Sequence, residues 1–220
     1  TVRLPRAGEA PSPGAAAISA STGPNVTLAD ALVDPRQWYL NISWLLLGAL
    51  TLMISVHIVS FARDQGISLA QASLALTAYG VGAVGGRIGS GIVSDWIGTF
   101  TTIRLSYVLQ LLGLASLLWL SSLEALLLSL LLLGIGFASA DTMLAKAVPE
   151  VFGTRALGAI LGVPNLGWRF GAALGPVGAG VLYDVTGAYT IPFGAAPVVV
   201  LVSWGLFALG SSGRRARAAA

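Results

Sequence analysis

The fold class that this sequence predicts is an all-α membrane protein, with six transmembrane helices arranged as two inverted three-helix repeats. Three observations carry the prediction. The chain is 55% hydrophobic and 10% charged, where soluble domains carry about 25% charged residues, and its mean hydropathy is +0.83. Its apolar residues collect into six runs, roughly 38–60, 69–94, 101–120, 124–147, 156–183 and 190–210. Each is about long enough to cross a hydrocarbon core of about 30 Å as a helix. Finally, the second and fifth runs share a glycine-rich pattern.

Residues 1–25 hold no apolar core segment of the kind a signal peptide needs. They are rich in Ala, Pro, Gly and Ser, and read as a polar linker. The first residue is Thr1 rather than methionine, which suggests a processed or partial chain. "TLAD" (Thr27, Asp30) predicts a short helix lying at the membrane interface. The first run opens on "DPRQWYL", with Asp34 as N-cap and Pro35 at the first helical position. "SLAQ" (Ser68, Gln71) and "SSLE" (Ser121, Glu124) have capping-box spacing before the second and fourth runs. The organisation expected is a linker over 1–36, a six-helix bundle over 37–210 and a tail over 211–220.

Basic residues set the orientation. With six spans, nine fall on the side of the two ends: Arg3, Arg6, Arg36, Arg104, Lys146, Arg155, Arg214, Arg215 and Arg217. Arg63 alone falls in an opposite-side loop, while Arg87 and Arg169 lie within spans. Both termini are therefore expected in the cytoplasm, with the protein in the plasma (inner) membrane.

"YGVGAVGGRIGSGIVSDWIG" (Tyr79–Gly98) finds a partner in "WRFGAALGPVGAGVLYDVTG" (Trp168–Gly187), offset by 89 residues. At that offset Gly82, Gly86 and Asp95 meet Gly171, Gly175 and Asp184, and Tyr79 meets Trp168. The same offset carries run one onto run four and run three onto run six. Two units of three helices each must run in opposite directions across the membrane, which is the inverted repeat of secondary transporters. Runs three and six have no ionisable residue in their interiors. The other runs carry His57, Arg87, Asp141 and Arg169. Because ionisable groups inside a bilayer are costly, they should face a cavity or a partner.

Several chemistries are excluded. There is no cysteine and a single histidine, so no disulfide, thiolate or histidine-based zinc site can form. "GAVGGRIG" follows no strand and is not a dinucleotide fingerprint. No nucleophile–base–acid set is visible, and no basic face is interleaved with aromatics for nucleic acid. The expectation is a non-enzyme without cofactor or metal. Arg87 sits roughly 12 Å from the helix end marked by Asp95, near mid-membrane, where a guanidinium can clamp a carboxylate. Arg169 is also near the middle of its run, and Asp141 on the preceding run can pair with it or carry a proton. His57 reads as a solvated rim histidine or a second proton carrier. Tyr79 and Trp168 can line the pathway. Asp95 and Asp184, at helix ends, read as gating residues. The glycines at spacing four, Gly82/Gly86 and Gly167/Gly171/Gly175, allow close helix approach.

"GRIGSGIVSDWIG" resembles a degenerate signature loop of the major facilitator superfamily, G-x-x-x-D-R-x-G-R-R. Gly91, Asp95 and Gly98 fill three of its positions, while Trp96, Thr99 and Phe100 replace the basic ones. "PEVFGTRALGAILG" and "LGPVGAGVLYDVTGAYT" resemble the approach to, and the end of, the eleventh helix. "HIVSFARDQGISLAQA" resembles the link between the seventh and eighth helices in the monocarboxylate and oxalate/formate branch. The resemblance covers about 27–210 and implies the C-terminal half of a twelve-helix fold. It also implies alternating-access transport of a small mono- or dicarboxylate, with a proton or an exchanged anion, and a missing N-terminal six-helix partner. On it, Arg87 occupies the position of a substrate-binding arginine. Trp168, with Arg169 one residue later, occupies that of a basic residue of the eleventh helix. Ala83 departs from the branch, whose carriers often place an aspartate there. An exporter of drugs or neutral metabolites, or a truncated six-helix scaffold without transport, remain alternatives.

Overall fold

The computed structural model describes residues 26–118 and 122–212. The linker over 1–25, Ser121 and the three arginines of the tail lie outside the described residues. Among the described residues seven helices follow one another: α1 (Leu28–Val33), α2 (Pro35–Asp64), α3 (Leu69–Ile97), α4 (Thr99–Leu118), α5 (Leu123–Phe152), α6 (Leu157–Thr186) and α7 (Thr190–Gly210).

Local chemistry accounts for their ends. At α1 the Thr27 hydroxyl and backbone N–H donate to Asp30 Oδ2 at 2.6 and 3.1 Å, and the Asp30 N–H donates back to the hydroxyl at 3.3 Å. That is a complete capping box. Asp34 accepts from the Arg36 N–H at 2.9 Å and Pro35 starts α2. Ser68 caps α3. The cap of α5 is Ser122, which accepts from the Ala125 N–H, one residue later than the spacing of "SSLE" suggests. α3 and α6 stop at Gly98 and Gly187, at φ +84° and +71°, conformations that side-chain-bearing residues rarely adopt.

Four helices, α2, α4, α5 and α7, are long and apolar enough to cross a bilayer. α3 and α6 match them in length, with 29 and 30 residues. Their glycines contribute little hydropathy, which keeps them below the same standard.

The helices do not simply pack in sequence order. α6 lies along α2 and α3 lies along α5, and these are the two most extensive contacts. α4 covers α5, α7 covers α2, and α4 and α7 meet. Each main seam is closed by glycine against backbone. A Cβ at Gly171 or Gly175 would fall within about 2 Å of the Leu45 or Ala49 carbonyl oxygen, and one at Gly82 or Gly86 within 2.5 Å of the Leu131 or Ile135 oxygen. Reciprocally, Gly48 sits on the Trp168 carbonyl and Gly134 on that of Tyr79. Such approach is what small residues provide where burial from water gives no driving force between helices.

The outer helices are held by hydroxyls. Ser43, Tyr107 and Ser203 form a buried triangle joining α2, α4 and α7, with sides of 2.9, 2.9 and 3.1 Å. Ser116 and Ser129 join α4 to α5 at 2.7 Å. Trp44, Tyr107 and Phe207 pack around the triangle with ring centroids 6.0 Å apart.

A single offset of 89 does not describe the recurrence. The crossing residues Leu45, Gly48 and Ala49 recur as Leu131, Gly134 and Ile135, an offset of 86, while Tyr79 recurs as Trp168, an offset of 89. The segment between the two crossing points is 31 residues long in the first case and 34 in the second. Glycine matches in α3 and α6 dominate a sequence comparison and hide this shift.

Candidate functional site

The α3–α5 seam positions the charged residues. The Ser139 hydroxyl donates to the Gly86 carbonyl at 3.1 Å, tying the two helices together beside Arg87 and Asp141. Arg87 and Asp141 are electrostatic neighbours, and both lie on the surface of the bundle. Tyr79, two turns earlier on α3, reaches Thr51 and Ser55 of α2 and lies in the field of both charges. The Ser55 hydroxyl also donates to the Thr51 carbonyl at 2.8 Å. One cluster thus draws on α2, α3 and α5: Thr51, Ser55, Tyr79, Arg87 and Asp141. It offers a cation, an anion and three hydroxyls within a predominantly apolar bundle. That set can bind a carboxylate and exchange a proton.

Arg169 is not part of it. It is exposed on α6, which packs on α2 rather than on α3. The expected pairing of Asp141 with Arg169 is not what the packing favours: the charge whose field Asp141 feels is that of Arg87. The reason is topological, since α5 runs alongside α3 and only its end approaches α6. Trp168 is half-buried against the core, and its carbonyl is covered by Gly48.

The two ends of the bundle are fastened differently. Where α3 and α5 end, Lys146 Nζ donates to Ser94 at 2.8 Å and to Asp95 at 2.9 Å, and Thr99 donates to Glu150 at 2.5 Å. Gly91 and Gly98 flank this latch. Asp184, the repeat mate of Asp95, is exposed and has Tyr189 as electrostatic neighbour.

At the opposite end His57 is half-buried rather than a solvated rim residue. Its Nε2 lies 3.0 Å from the Pro176 carbonyl and its Nδ1 3.0 Å from the Tyr189 hydroxyl. A carbonyl only accepts, so neutral His57 carries its proton on Nε2 and accepts from Tyr189 at Nδ1. Tyr183 stacks on Tyr189 with centroids 4.4 Å apart. A cavity of about 340 Å³ beside this cluster is lined by Phe61, Asp64, Gln65, Tyr189 and Thr190. It contains neither Arg87 nor Arg169.

Sequence reasoning missed Lys146, Gln37 and Asn41 as interacting groups. Lys146 was visible only as a basic residue near a helix end. Gln37 and Asn41, one turn apart on α2, donate to the Ile160 and Val163 carbonyls at 3.0 and 2.7 Å. Two polar amides in an apolar run, with a proline in the run they face, were the available signal.

The fold and the charges held within its apolar helices define a polytopic α-helical membrane protein. A model of the Major Facilitator Superfamily matches the sequence over residues 3–176 and again over 41–219. The chain belongs to that superfamily, a family of transporters rather than enzymes. It is similar to YhjX of Escherichia coli (strain K12), described as an uncharacterized MFS-type transporter, with 29% identity over 153 residues. That match covers 66% of this chain and 37% of the relative, so the chain spans little more than a third of the relative's length.

Proposed function

We propose that the chain is the C-terminal half of a secondary transporter that moves a small mono- or dicarboxylate by alternating access. The observation that carries this reading is the cluster of Arg87, Asp141 and Tyr79 on the open face of the bundle, in a superfamily member. A guanidinium near mid-membrane is expensive unless it serves a charge, and a substrate carboxylate can take the place of Asp141 beside it. Protonation of Asp141 frees Arg87 for the substrate and couples the two events. His57, with both ring nitrogens engaged, fastens helix ends instead.

The reading includes six spans as two inverted units, with the ends of α3 and α5 in the cytoplasm beside the Lys146–Asp95 latch. The exchanged packing, α2 on α6 and α5 on α3, supports a two-fold relation between the units. The apolar exposed faces of α3 and α6 fit a missing N-terminal half, which would complete the cavity around Arg87. Arg169, one residue past Trp168 on α6, is proposed as a second, weaker contact with a dicarboxylate.

The test is uptake of labelled small carboxylates into vesicles holding the full-length protein. Arg87→Ala is expected to abolish uptake and Arg87→Lys to reduce it strongly, because the bidentate fork is lost. Uptake by the unaltered protein should rise as pH falls, and Asp141→Asn should flatten that dependence. Unchanged carboxylate uptake in Arg87→Ala overturns the site. Transport of a neutral compound or drug with Arg87 dispensable favours an exporter.

A further inference from the structure

The segment of α6 that carries Trp168 and Arg169 is bracketed by two prolines, Pro164 and Pro176. Proline has no N–H, so the carbonyl four residues earlier loses its partner within the helix. For Pro164 that carbonyl belongs to Ile160, and it is there that Gln37, fully buried on α2, donates Nε2 at 3.0 Å. One turn along α2, Asn41 donates to the Val163 carbonyl at 2.7 Å, and its side chain lies against Gly167. At the other bracket His57, also on α2, donates to the Pro176 carbonyl. Between the brackets glycines bring α6 close to α2: Gly167 lies on Asn41, and Gly171 and Gly175 lie on the Leu45 and Ala49 backbone. The polar side chains of α2 therefore grip this segment mainly at its prolines.

One further fact points to a second arrangement. Gln37 Oε1 is buried and has no hydrogen-bond partner. A buried amide acceptor left unsatisfied is costly, and its natural complement is a donor that arrives when the helices move.

We propose that residues 164–176 of α6 move as a unit against α2, and that Gln37 and Asn41 are positioning residues that hold this unit in the present state and release it in the opposite one. Movement of the unit re-aims Trp168 and Arg169, which it carries. The proposal rests on the alternating-access reading, not on the identity of the substrate.

The test uses the full-length protein with any other cysteines removed, since this chain has none. A single cysteine is placed at exposed Asn165 (Asn165→Cys), or at exposed Arg104 near the start of α4 (Arg104→Cys) as control. Labelling by a membrane-impermeant maleimide is then timed. Gln37→Leu, alone or with Asn41→Leu, is expected to change the labelling rate at position 165 by about tenfold, the scale of one lost buried hydrogen bond, and to leave position 104 unchanged. Pro164→Ala supplies the Ile160 carbonyl with an N–H from within α6. In that background Gln37→Leu should lose its effect on labelling. A Gln37→Leu effect that persists undiminished with Pro164→Ala overturns the proposal. So does unchanged labelling at 165 in variants that elute and melt as the parent does. If Gln37→Leu unfolds the protein, Gln37→Asn, too short to reach Ile160, carries the same expectation. Loss of carboxylate uptake in Arg87→Ala reports on the substrate reading separately, because the labelling needs no substrate.

Discussion

At the scale of single residues, charge placement in this protein is decided by which helices are neighbours. Arg87 and Asp141 stand 54 positions apart in sequence yet are electrostatic neighbours, because Ser139 bonds the backbone at Gly86. The arginine was legible in the sequence as a charge in an apolar run. Its partner was not, since Asp141 is nearer in sequence to Arg169 and only the α3–α5 seam resolves the choice. Lys146 and Asp95 form an exposed pair 2.9 Å apart, and such pairs contribute about 0–1 kcal/mol to stability. Lys146→Ala should therefore leave the melting temperature within a degree or two, while changing how fast a thiol placed near Ser94 is labelled. Asp30 gives a pH prediction outside the membrane. Hydrogen bonds from the Thr27 hydroxyl and N–H hold its carboxyl below the ordinary carboxylate range. A depressed folded-state value stabilises the helix above the ordinary range and loses that contribution as pH falls through the folded value. Protection factors of the α1 amides, with exchange corrected for its intrinsic pH dependence, should fall on acidification, and Thr27→Val should remove most of that change.

At the scale of elements, the glycines divide into two kinds that composition cannot separate. Gly171 is the sharper case, since a Cβ there would run into the Leu45 carbonyl oxygen. Gly171→Ala is expected to destabilise the α2–α6 seam by about 1–3 kcal/mol, the usual range for overpacking. Gly178, two turns later on the same helix, has nothing within 4 Å of the place a methyl group would take. Gly178→Ala should be neutral or stabilising by up to about 1 kcal/mol through helix propensity. Detergent-resistance or thermal-shift measurements on the two variants check the pair. The existence of all six long helices, and of the short α1, could be read from apolar runs and start signals. Which helix lies beside which could not, because seams made of glycine and carbonyl leave almost no pattern of side-chain complementarity in the sequence. The Ser43–Tyr107–Ser203 triangle shows the same limit: three ordinary hydroxyls in three runs meet only after the helices have assembled. Ser43→Ala leaves Tyr107 and Ser203 bonded at 3.1 Å, so its cost should be about 1 kcal/mol or less.

At the scale of the whole molecule, two main seams, α2–α6 and α3–α5, are tied across by the shared contacts of α4 and α7. The seams carry different fasteners: amides and a histidine on one, a serine and a lysine on the other. If a missing half covers the exposed apolar faces of α3 and α6, co-expression of that half should raise the yield of this chain in detergent. Equal yield without it would favour a self-sufficient scaffold. A last consequence follows from the unequal separations of 31 and 34 residues between the crossing points. The three extra residues fall two on α5 and one on α6, about 3 Å and 1.5 Å of added helix. The two units therefore cannot be superposed residue for residue, and under the alternating access proposed above the two access states are expected to differ in energy even with neither substrate nor proton bound.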